Sequence, residues 1–517
     1  MKIRTRSGRR LAPVSLALAA SLALAGCGLS GADDDSSSEG TAAAKAVLTI
    51  GMSSDAESLD PPNFVLAGDF ARTALIYETL VKLTNDGKFQ PGLATAWKQV
   101  SDTVWEFQLR EGVTFHDGTP FDSAAVKVSL ERAAQQKQGS GFLKMIKTVE
   151  TPDPRTARLV LSEPFSSILN NLTVPVAAII SPAALTAKGD KISTEPVGTG
   201  PYKFSQWVPD TSIVLNKHEG YWGQPAALDT VTFVPIPEAS TRFSALQSGD
   251  VDVIENPPPS ELASIKSSKD MYPIIESKAR PVFLGFNLKE VPDVQVRKAI
   301  AHAIDKEAMV KNVLEGVGRP ALEGLVPPEF IDNDPPIGLK YDPEESRRLL
   351  EKAGAKNLTI DLVLPTERYL KDKEMGEVLQ QQLAEIGIKV NLKVQEPGTW
   401  YQSLLDHETQ MYWLGWGMSS GDPADMLLRV FHSTAVNNMS QYAQKDVDEQ
   451  ITSLSTLEVG SAERNQLMQD LQRRVVEKDV AVVPIYHMSN FYAARSGVQG
   501  FHTTTSELLD LSAVKVS

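Results

Sequence analysis

Histidines and carboxylates are the side chains best suited to acid–base or metal chemistry, and their spacing here predicts neither a catalytic pair nor a contiguous metal motif. His116 precedes Asp117, but adjacent residues on an extended segment point apart. Asp117 also begins an Asp-Gly-Thr-Pro sequence, which is typical of a turn. None of the seven histidines lies three or four residues from another, as a metal-binding pair on a helix requires. A metal site assembled from distant segments stays open, with His432 and His487 as candidates, and no cofactor is predicted.

Cys27 is the only cysteine in the chain, and its surroundings predict that its thiol carries a lipid. Residues 1–26 hold five basic residues and no acidic one, then an apolar run that ends in small residues. This order is typical of a secretory signal peptide. The tetrad Leu24 to Cys27 resembles the bacterial lipobox, whose cysteine sulfur receives a diacylglyceryl group. The alternatives are an incidental cysteine or an anchor helix, but the run from Leu11 to Ala25 is short for a span of about 20 residues.

The charge and cysteine content limit the possible partners. The formal net charge is −14, and it becomes −19 when residues 1–26 and their five basic residues are removed. Nucleic acids and anionic lipid surfaces require clustered Lys and Arg, so neither is a predicted partner. With Cys27 acylated, no thiol remains for a disulfide, a metal or a nucleophile. Residues 27–45 have almost no bulky apolar side chain, and we expect them to be a disordered tether.

Aromatic residues are concentrated in one part of the second half, where they could form the wall of a binding site. They are Trp400, Tyr401, Tyr412, Trp413 and Trp416. Such a wall suits peptide side chains or the faces of sugar rings. The alternative is core packing, because a strand over 411–416 sends Tyr412 and Trp416 to one face and Trp413 to the other.

Hydrophobic periodicity predicts the elements that must position these residues. Short alternating or apolar runs predict strands, among them 47–50, 105–109, 389–394, 411–416 and 482–486. Helical spacing predicts helices, among them 70–83, 122–134, 342–354, 374–386 and 423–431. The mixture of the two along the chain predicts an α/β fold rather than an all-α or all-β one.

Several segments resemble one protein family, in the same order and across nearly the whole chain after residue 46. The longest is LATAWKQVSDTVWEFQLREGVTFHDGTPFDSAAV at 93–126. The others include SLDPPN (58–63), VGTGPYKF (197–204), YWG (221–223), LQSGDVDV (246–253), FLGFNL (283–288), VRKAIAHAID (296–305), LAEIGIKVNL (383–392), GWGMSSGDP (415–423) and DVAVVPIY (479–486). On these segments the chain resembles the family 5 extracellular solute-binding proteins, which are the peptide, nickel and opine receptors of ABC importers.

The resemblance implies a two-lobed, periplasmic-binding-protein-like (type II) α/β fold. Its first lobe carries an extra subdomain, and two chain crossings, near 281–287 and 483–486, form a hinge. The expected divisions are a lipoprotein signal peptide (1–26), a tether (27–45), the core of lobe I (46–85, 197–283 and 485–517), its extra subdomain (86–196) and lobe II (284–484).

The resemblance also implies where ligand binds. The candidate ligand-binding residues are Asn63, Trp400, Trp416, Gly417, Met418, Ser419 and Asp422. Peptide-binding relatives carry an Asp three residues beyond the equivalent of Trp416, where it pairs with the ligand's α-ammonium group. Here that position is Ser419, which supplies no charge. Asp422 could take over, although Asp followed by Pro is also typical of a helix start.

These observations predict a binding protein and not an enzyme, because the chain has no nucleophile elbow, zinc motif or P-loop. We expect a monomeric lipoprotein on the extracytoplasmic face of a bacterial membrane that hands a solute to ABC permease and ATPase subunits. An oligopeptide is the favoured ligand, and an oligosaccharide or a metal chelate is the alternative. A secreted hydrolase and a scaffold that has lost its ligand are the competing classes.

Overall fold

The computed structural model of the chain describes residues 46–63 and 67–517. The predicted signal peptide, the predicted tether and the acylation site Cys27 all lie outside the described residues. Within the described ranges, no helix is long and apolar enough to cross a membrane.

Strands occur along the whole described chain. They are Val47–Met52, Val81–Leu83, Phe89–Pro91, Ala94–Ser101, Val104–Leu109, Ile146–Asp153, Thr156–Leu161, Tyr202–Val208, Ser212–Lys217, Thr230–Pro235, Val253–Glu255, Met271–Phe286, Arg319–Pro320, Thr359–Pro365, Lys389–Gln395, Met411–Gly415, Val482–Arg495, Val498–Gln499, His502–Thr503, Leu509–Asp510 and Lys515–Val516.

The helices become longer and more frequent in the second half. The α-helices are Ala67–Thr73, Ser123–Gln135, Lys137–Leu143, Ile168–Asn171, Pro182–Lys188, Ala239–Ser248, Leu262–Ser267, Val294–His302, Lys306–Val313, Pro343–Lys352, Asp372–Glu385, Pro397–Leu405, Ala424–Met426, Lys445–Leu454 and Ala462–Arg473. Short 3₁₀ turns lie at Pro61–Asn63, Pro175–Ala177, Gly189–Ser193 and Pro259–Glu261, and π-helical turns at Leu427–Phe431 and Arg474–Lys478.

One mixed sheet of 11 strands contains the predicted hinge. Two long strands, Met271–Phe286 and Val482–Arg495, pair antiparallel in its middle, and we call them the crossing strands. Strands of the predicted lobe II continue the sheet on one side, beginning with Met411–Gly415. Strands of the predicted lobe I continue it on the other side, beginning with Val253–Glu255. The α/β fold with two crossings is confirmed, and the predicted boundaries 283/284 and 484/485 both fall inside a crossing strand.

A separate four-stranded antiparallel sheet lies within the range predicted for the extra subdomain. Its strands run in the order Ala94–Ser101, Val104–Leu109, Thr156–Leu161 and Ile146–Asp153. Helix Ser123–Gln135 is the principal helix of this region. Asp122 caps it as predicted, because its carboxylate accepts a hydrogen bond from the Ala125 backbone N–H at 3.1 Å.

The hydrophobic core divides along the crossing strands. One large cluster extends from strand Val47–Met52 into the four-stranded sheet. Two further clusters lie on the part of the sheet assigned to the predicted lobe II, one including Leu284 and Trp413 and the other including Phe283 and Tyr412. Successive residues of a strand therefore face opposite clusters, as alternation requires.

The helix predicted over 70–83 is wrong beyond its first residues. Helix Ala67–Thr73 is followed by a turn, and Val81–Leu83 is a strand that pairs with Phe89–Pro91. The apolar residues between them are buried, so the spacing signalled burial correctly but not helix.

Side-chain contacts from distant segments explain why residues 74–80 are irregular. The buried Glu78 carboxylate accepts hydrogen bonds from Thr199 Oγ1 at 3.0 Å, the Tyr221 hydroxyl at 2.8 Å and Trp222 Nε1 at 2.7 Å. The backbone carbonyls of Leu75 and Ile76 accept from Tyr202 and Gly200. In a helix, the backbone carbonyls of Leu75 and Ile76 would accept hydrogen bonds from residues four positions later. Here they accept from distant segments instead, and Glu78 is held by distant side chains.

Candidate functional site

The segment that follows strand Met411–Gly415 lies beside the first crossing strand. The Trp416 backbone N–H donates to the Pro281 carbonyl at 3.0 Å, and the Met418 N–H donates to the Ala279 carbonyl at 2.8 Å. Four of the predicted site residues, Trp416 to Ser419, are therefore held at the point where the chain crosses between the predicted lobes.

The two predicted cleft tryptophans have different surroundings. Trp400, on helix Pro397–Leu405, is 1% exposed, and its ring meets that of Tyr369 edge to face at 6.5 Å between centroids. The Arg368 guanidinium lies 5.5 Å from the centroid of the Trp400 ring. Trp416 is half-buried. Both indole N–H groups are buried donors that have no hydrogen-bond partner among the described residues.

The other aromatic residues are mainly structural. Tyr412 packs in the cluster of Phe283, while Trp413 packs in the cluster of Leu284, as the predicted alternation requires. Tyr401 is more exposed, and its hydroxyl donates to Asn437 at 2.7 Å.

Asp422 is fully engaged by other side chains. Its two carboxylate oxygens accept from Arg464 Nη1 at 3.0 Å and Nη2 at 2.7 Å, and the Ser167 hydroxyl donates to the same carboxylate. The Ala424 backbone N–H donates to it at 3.1 Å, which is the helix-start role considered for this residue. Asp422 and Arg464 are 1% and 2% exposed. The carboxylate is thus occupied by a guanidinium and is placed as a structural group.

The remaining predicted residues are only partly brought together. Met418 is completely buried in a hydrophobic cluster, whereas Gly417 and Ser419 are half-buried. Asn63 lies elsewhere, and its side-chain amide donates to Asp60 at 2.7 Å. No hydrogen bond links Asn63 to segment 416–419 within the described residues.

A charged cluster that the sequence did not single out lies next to Gly417. Lys278 and Arg280, on the first crossing strand, both bind the carboxylate of Glu507 from the C-terminal segment. A Cβ atom placed on Gly417 would lie 2.8 Å from Arg280 Nη2, so the guanidinium lies directly against this glycine. The available signal was the Lys-x-Arg spacing just before the predicted crossing, which puts both cations on one side of a strand.

Electrostatics keep this cluster charged. Burial raises the pKa of the Glu507 carboxyl, but the positive charges of Arg280 and Lys278 and their hydrogen bonds outweigh burial and hold the pKa at about 2. Burial lowers the pKa of Arg280, and the Glu507 charge more than compensates. Glu507 and Arg280 are therefore ionised throughout the physiological pH range.

A second buried carboxyl lies beneath Tyr369. Asp372 accepts hydrogen bonds from the backbone N–H groups of Tyr369 at 2.8 Å and Arg368 at 3.1 Å. Burial nevertheless raises its pKa to about 7.

Two segments that are far apart in sequence are in contact above this site. Besides the Ser167–Asp422 bond, the Asn170 side-chain amide donates to the Ser420 carbonyl at 3.0 Å, and the Ser166 N–H donates to the Ser455 carbonyl at 2.7 Å. Residues 166–170 belong to the predicted extra subdomain, and residues 420–455 to the predicted lobe II.

A neighbouring contact reinforces this junction. The Arg429 guanidinium donates to the Gly141 carbonyl and lies 4.2 Å from the centroid of the Phe142 ring. Hydrogen bonds and a cation–π contact thus join the predicted extra subdomain to the predicted lobe II.

The candidate histidines are not grouped. His487 is buried beside the Gly324 carbonyl, and burial lowers its pKa to about 4. His432 is half-buried and contacts Thr434. In the part of the chain that the structure describes, no three His, Cys, Asp or Glu side chains are arranged to hold a metal ion.

A cavity of about 490 Å³ lies within the predicted lobe I. Its lining comes from residues 73–83, 173–178, 201–226 and 504–512, including Glu78 and Trp222. None of the predicted ligand-binding residues lines it.

The chain is similar in sequence to proteins of a known family. Residues 88–438 match the family model described as bacterial extracellular solute-binding proteins, family 5 middle. The chain is 32% identical over 456 residues to the glutathione-binding protein GsiB of Pectobacterium atrosepticum, covering 84% of this chain and 87% of that protein.

Solved structures show the same fold. The periplasmic binding protein DppA of Helicobacter pylori, in complex with the peptide STSA, has a TM-score of 0.78 at 26% identity, over 91% of this chain and 98% of that one. NikA of Brucella suis has a TM-score of 0.83 at 24% identity, over 91% and 100% of the two chains. The chain therefore belongs to the family 5 bacterial extracellular solute-binding proteins, which are the substrate-binding components of ABC importers.

Proposed function

We propose that the protein is a lipid-anchored receptor that captures a short peptide between its two lobes and delivers it to an ABC permease. The observation that carries the proposal is the segment Trp416 to Ser419, which is hydrogen-bonded to the first crossing strand and carries an indole N–H group without a partner among the described residues. Peptides offer the carbonyl oxygens and apolar side chains that such a surface can bind.

Two of the relatives support a peptide as the ligand. GsiB is named for binding glutathione, which is a tripeptide, and the H. pylori DppA structure holds a peptide. The oligosaccharide alternative draws support only from the aromatic residues, and Tyr412 and Trp413 are packed in the core.

The engagement of Asp422 refines how the peptide is held. Because Arg464 and Ser167 occupy its carboxylate, Asp422 is not free to pair with a ligand ammonium group. Ser419 supplies no charge. We therefore propose that this part of the site reads the ligand through hydrogen bonds and apolar contacts, without pairing its ammonium group.

Titration calorimetry with reduced glutathione and with the peptide Ser-Thr-Ser-Ala tests the proposal. We expect saturable binding of at least one of them, and no binding of maltotriose or nickel–histidine as comparison solutes. Bound ligand raises the free energy of unfolding by RT ln(1 + [L]/Kd), about 2.7 kcal/mol at 100 times Kd.

Small-angle scattering should show a smaller radius of gyration with ligand, because the two lobes close on it. Binding of a comparison solute but of neither peptide would contradict the proposal.

Replacing the acylated thiol tests the anchor. Two acyl chains hold a protein stably on a membrane, whereas one holds it only marginally. We expect Cys27→Ala to move the protein from the membrane fraction to the soluble fraction without changing its unfolding temperature. The control Ser30→Ala, which keeps the thiol, should stay with the membrane. If Cys27→Ala remains membrane-bound after a carbonate wash, the anchor lies elsewhere.

A further inference from the structure

The charged cluster at the crossing contains more positive than negative charge. Lys278 Nζ lies 2.9 Å from Glu507 Oε2, and Arg280 donates to Glu507 Oε1 from Nε at 3.2 Å and from Nη2 at 3.0 Å. The side chains of Lys278 and Arg280 are each 16% exposed, and that of Glu507 is 10% exposed. Two cations share one carboxylate, so a nearly buried unit of positive charge is left without a partner in the cluster.

The backbone departs from regular geometry to place these groups. The ladder between the crossing strands is interrupted between Ser277 and Pro281, so Lys278 and Arg280 lie in a bulge. The Ala279 N–H instead donates to the Thr505 carbonyl at 2.9 Å. Bulges of this kind re-aim side chains next to binding sites.

Glu507 is held in an equally unusual conformation. Its φ is +68°, in the left-handed region that non-glycine residues rarely adopt, within a turn closed by the bond from the Glu507 N–H to the Thr504 carbonyl at 2.9 Å. Such a conformation persists only where the surrounding structure imposes it, and it is concentrated at functional sites. Here it directs a carboxylate toward the two cations.

Among the described residues, the unpaired buried polar atoms around the cluster include donors as well as one acceptor, Glu507 Oε2, which lies 2.9 Å from Lys278 Nζ without a hydrogen bond. Arg280 Nη1 has no hydrogen-bond partner within the described ranges. The hydroxyl of Tyr486, which pairs with Val282 on the opposite crossing strand, also has no hydrogen-bond partner there. The same is true of the Trp416 indole N–H. Buried donors without acceptors are unfavourable, so a group with several acceptor oxygens and a negative charge would be stabilised at this point.

We infer that Lys278 and Arg280, which we call the hinge cation pair, bind a free carboxylate of the captured solute in competition with the carboxylate of Glu507. The inference rests on the proposed function and narrows it to peptides that carry an unmodified carboxylate. Gly417 contributes by its size, because any side chain there would displace the Arg280 guanidinium. Arginine suits this role, since its planar donors match the two oxygens of a carboxylate.

The test compares reduced glutathione with its diethyl ester by calorimetry. The unaltered protein should bind the free acid about 30-fold more tightly than the ester, which corresponds to about 2 kcal/mol. Arg280→Gln should weaken binding of the free acid about 30-fold and change ester binding by less than threefold. Arg280→Lys should restore part of the loss. The matched control is Arg158→Gln, which removes a guanidinium paired with Glu106 in the four-stranded sheet and should leave both affinities unchanged.

A second variant covers the case in which Arg280→Gln does not fold. Glu507→Gln removes the internal competitor for both cations, so it should bind the free acid more tightly than the unaltered protein does. Equal binding of acid and ester by the unaltered protein would overturn the inference and leave the peptide receptor standing. If Arg280→Gln weakened binding of the free acid and of the ester equally, the role of Arg280 would be purely structural, and the inference would also be overturned. Binding of neither form would overturn this use of the site together with glutathione as its ligand.

Discussion

Replacing Asp422 by asparagine is expected to lower the free energy of unfolding by about 3–5 kcal/mol, the cost of leaving a buried charge without its partner. Arg464 is 2% exposed, and Asp422 supplies both oxygens that its two terminal nitrogens bind. Asparagine has nearly the same shape but no charge, so it removes the compensation and not the packing. Urea denaturation followed by fluorescence measures the difference.

Two comparison variants make this result specific. Asp446→Asn removes a carboxylate that is 59% exposed and lies 3.3 Å from Arg474, and it should change stability by less than about 1 kcal/mol. The double variant Asp422→Leu with Arg464→Met removes both charges and should lose less stability than Asp422→Asn alone. If Asp422→Asn unfolds at the same urea concentration as the unaltered protein, the pair is not the structural group described here.

Replacing Trp416 by alanine is expected to weaken every peptide ligand about 30-fold. Truncating a tryptophan at the centre of a binding site commonly costs 2 kcal/mol or more. Trp416 is half-buried, its backbone is fixed to Pro281, and its indole N–H is unpaired among the described residues. Calorimetry on Trp416→Ala gives the affinity, and Trp97→Ala, in the four-stranded sheet, serves as the control that should retain it.

A variant of Ser419, on the same segment, tests whether this part of the site pairs with the ligand's ammonium group. Ser419→Asp restores the acidic residue of peptide-binding relatives and should strengthen free peptides relative to N-acetylated ones by tenfold or more. The unaltered protein should distinguish the two forms by less than tenfold. A native preference above a hundredfold for the free amine would show that another carboxylate pairs with the ligand ammonium group.

The outcomes at particular residues show what local patterns can predict. Alternation placed Tyr412 and Trp413 on opposite faces of a strand, and they pack in different clusters. Asp122 was predicted from its position before a helical pattern, and it caps that helix. Both properties follow from periodicity and capping, which depend only on neighbours in sequence.

Other features depend on partners that are far away in the chain. Residues 74–80 are irregular because Glu78 is bound by side chains more than 100 positions later. The sequence left two roles open for Asp422, pairing with a ligand ammonium group or starting a helix, and its carboxylate is bound by Arg464 and Ser167, 42 and 255 positions away. The residues next to Glu78 and Asp422 in the sequence contain no pattern that predicts these pairings.

The sequence by itself determined the family, the α/β class and the two regions near which the chain crosses, because motif order and hydrophobic periodicity are carried by neighbouring residues. Only the tertiary structure decided which polar groups remain free to bind a solute. Folding brings Glu507 to Lys278 and Arg280 across more than 200 positions, and it closes Asp422 off with Arg464. Whether a charged group pairs with another group of the protein or remains available to a ligand depends on which side chains folding brings together. Burial then increases the energy of each charge–charge interaction.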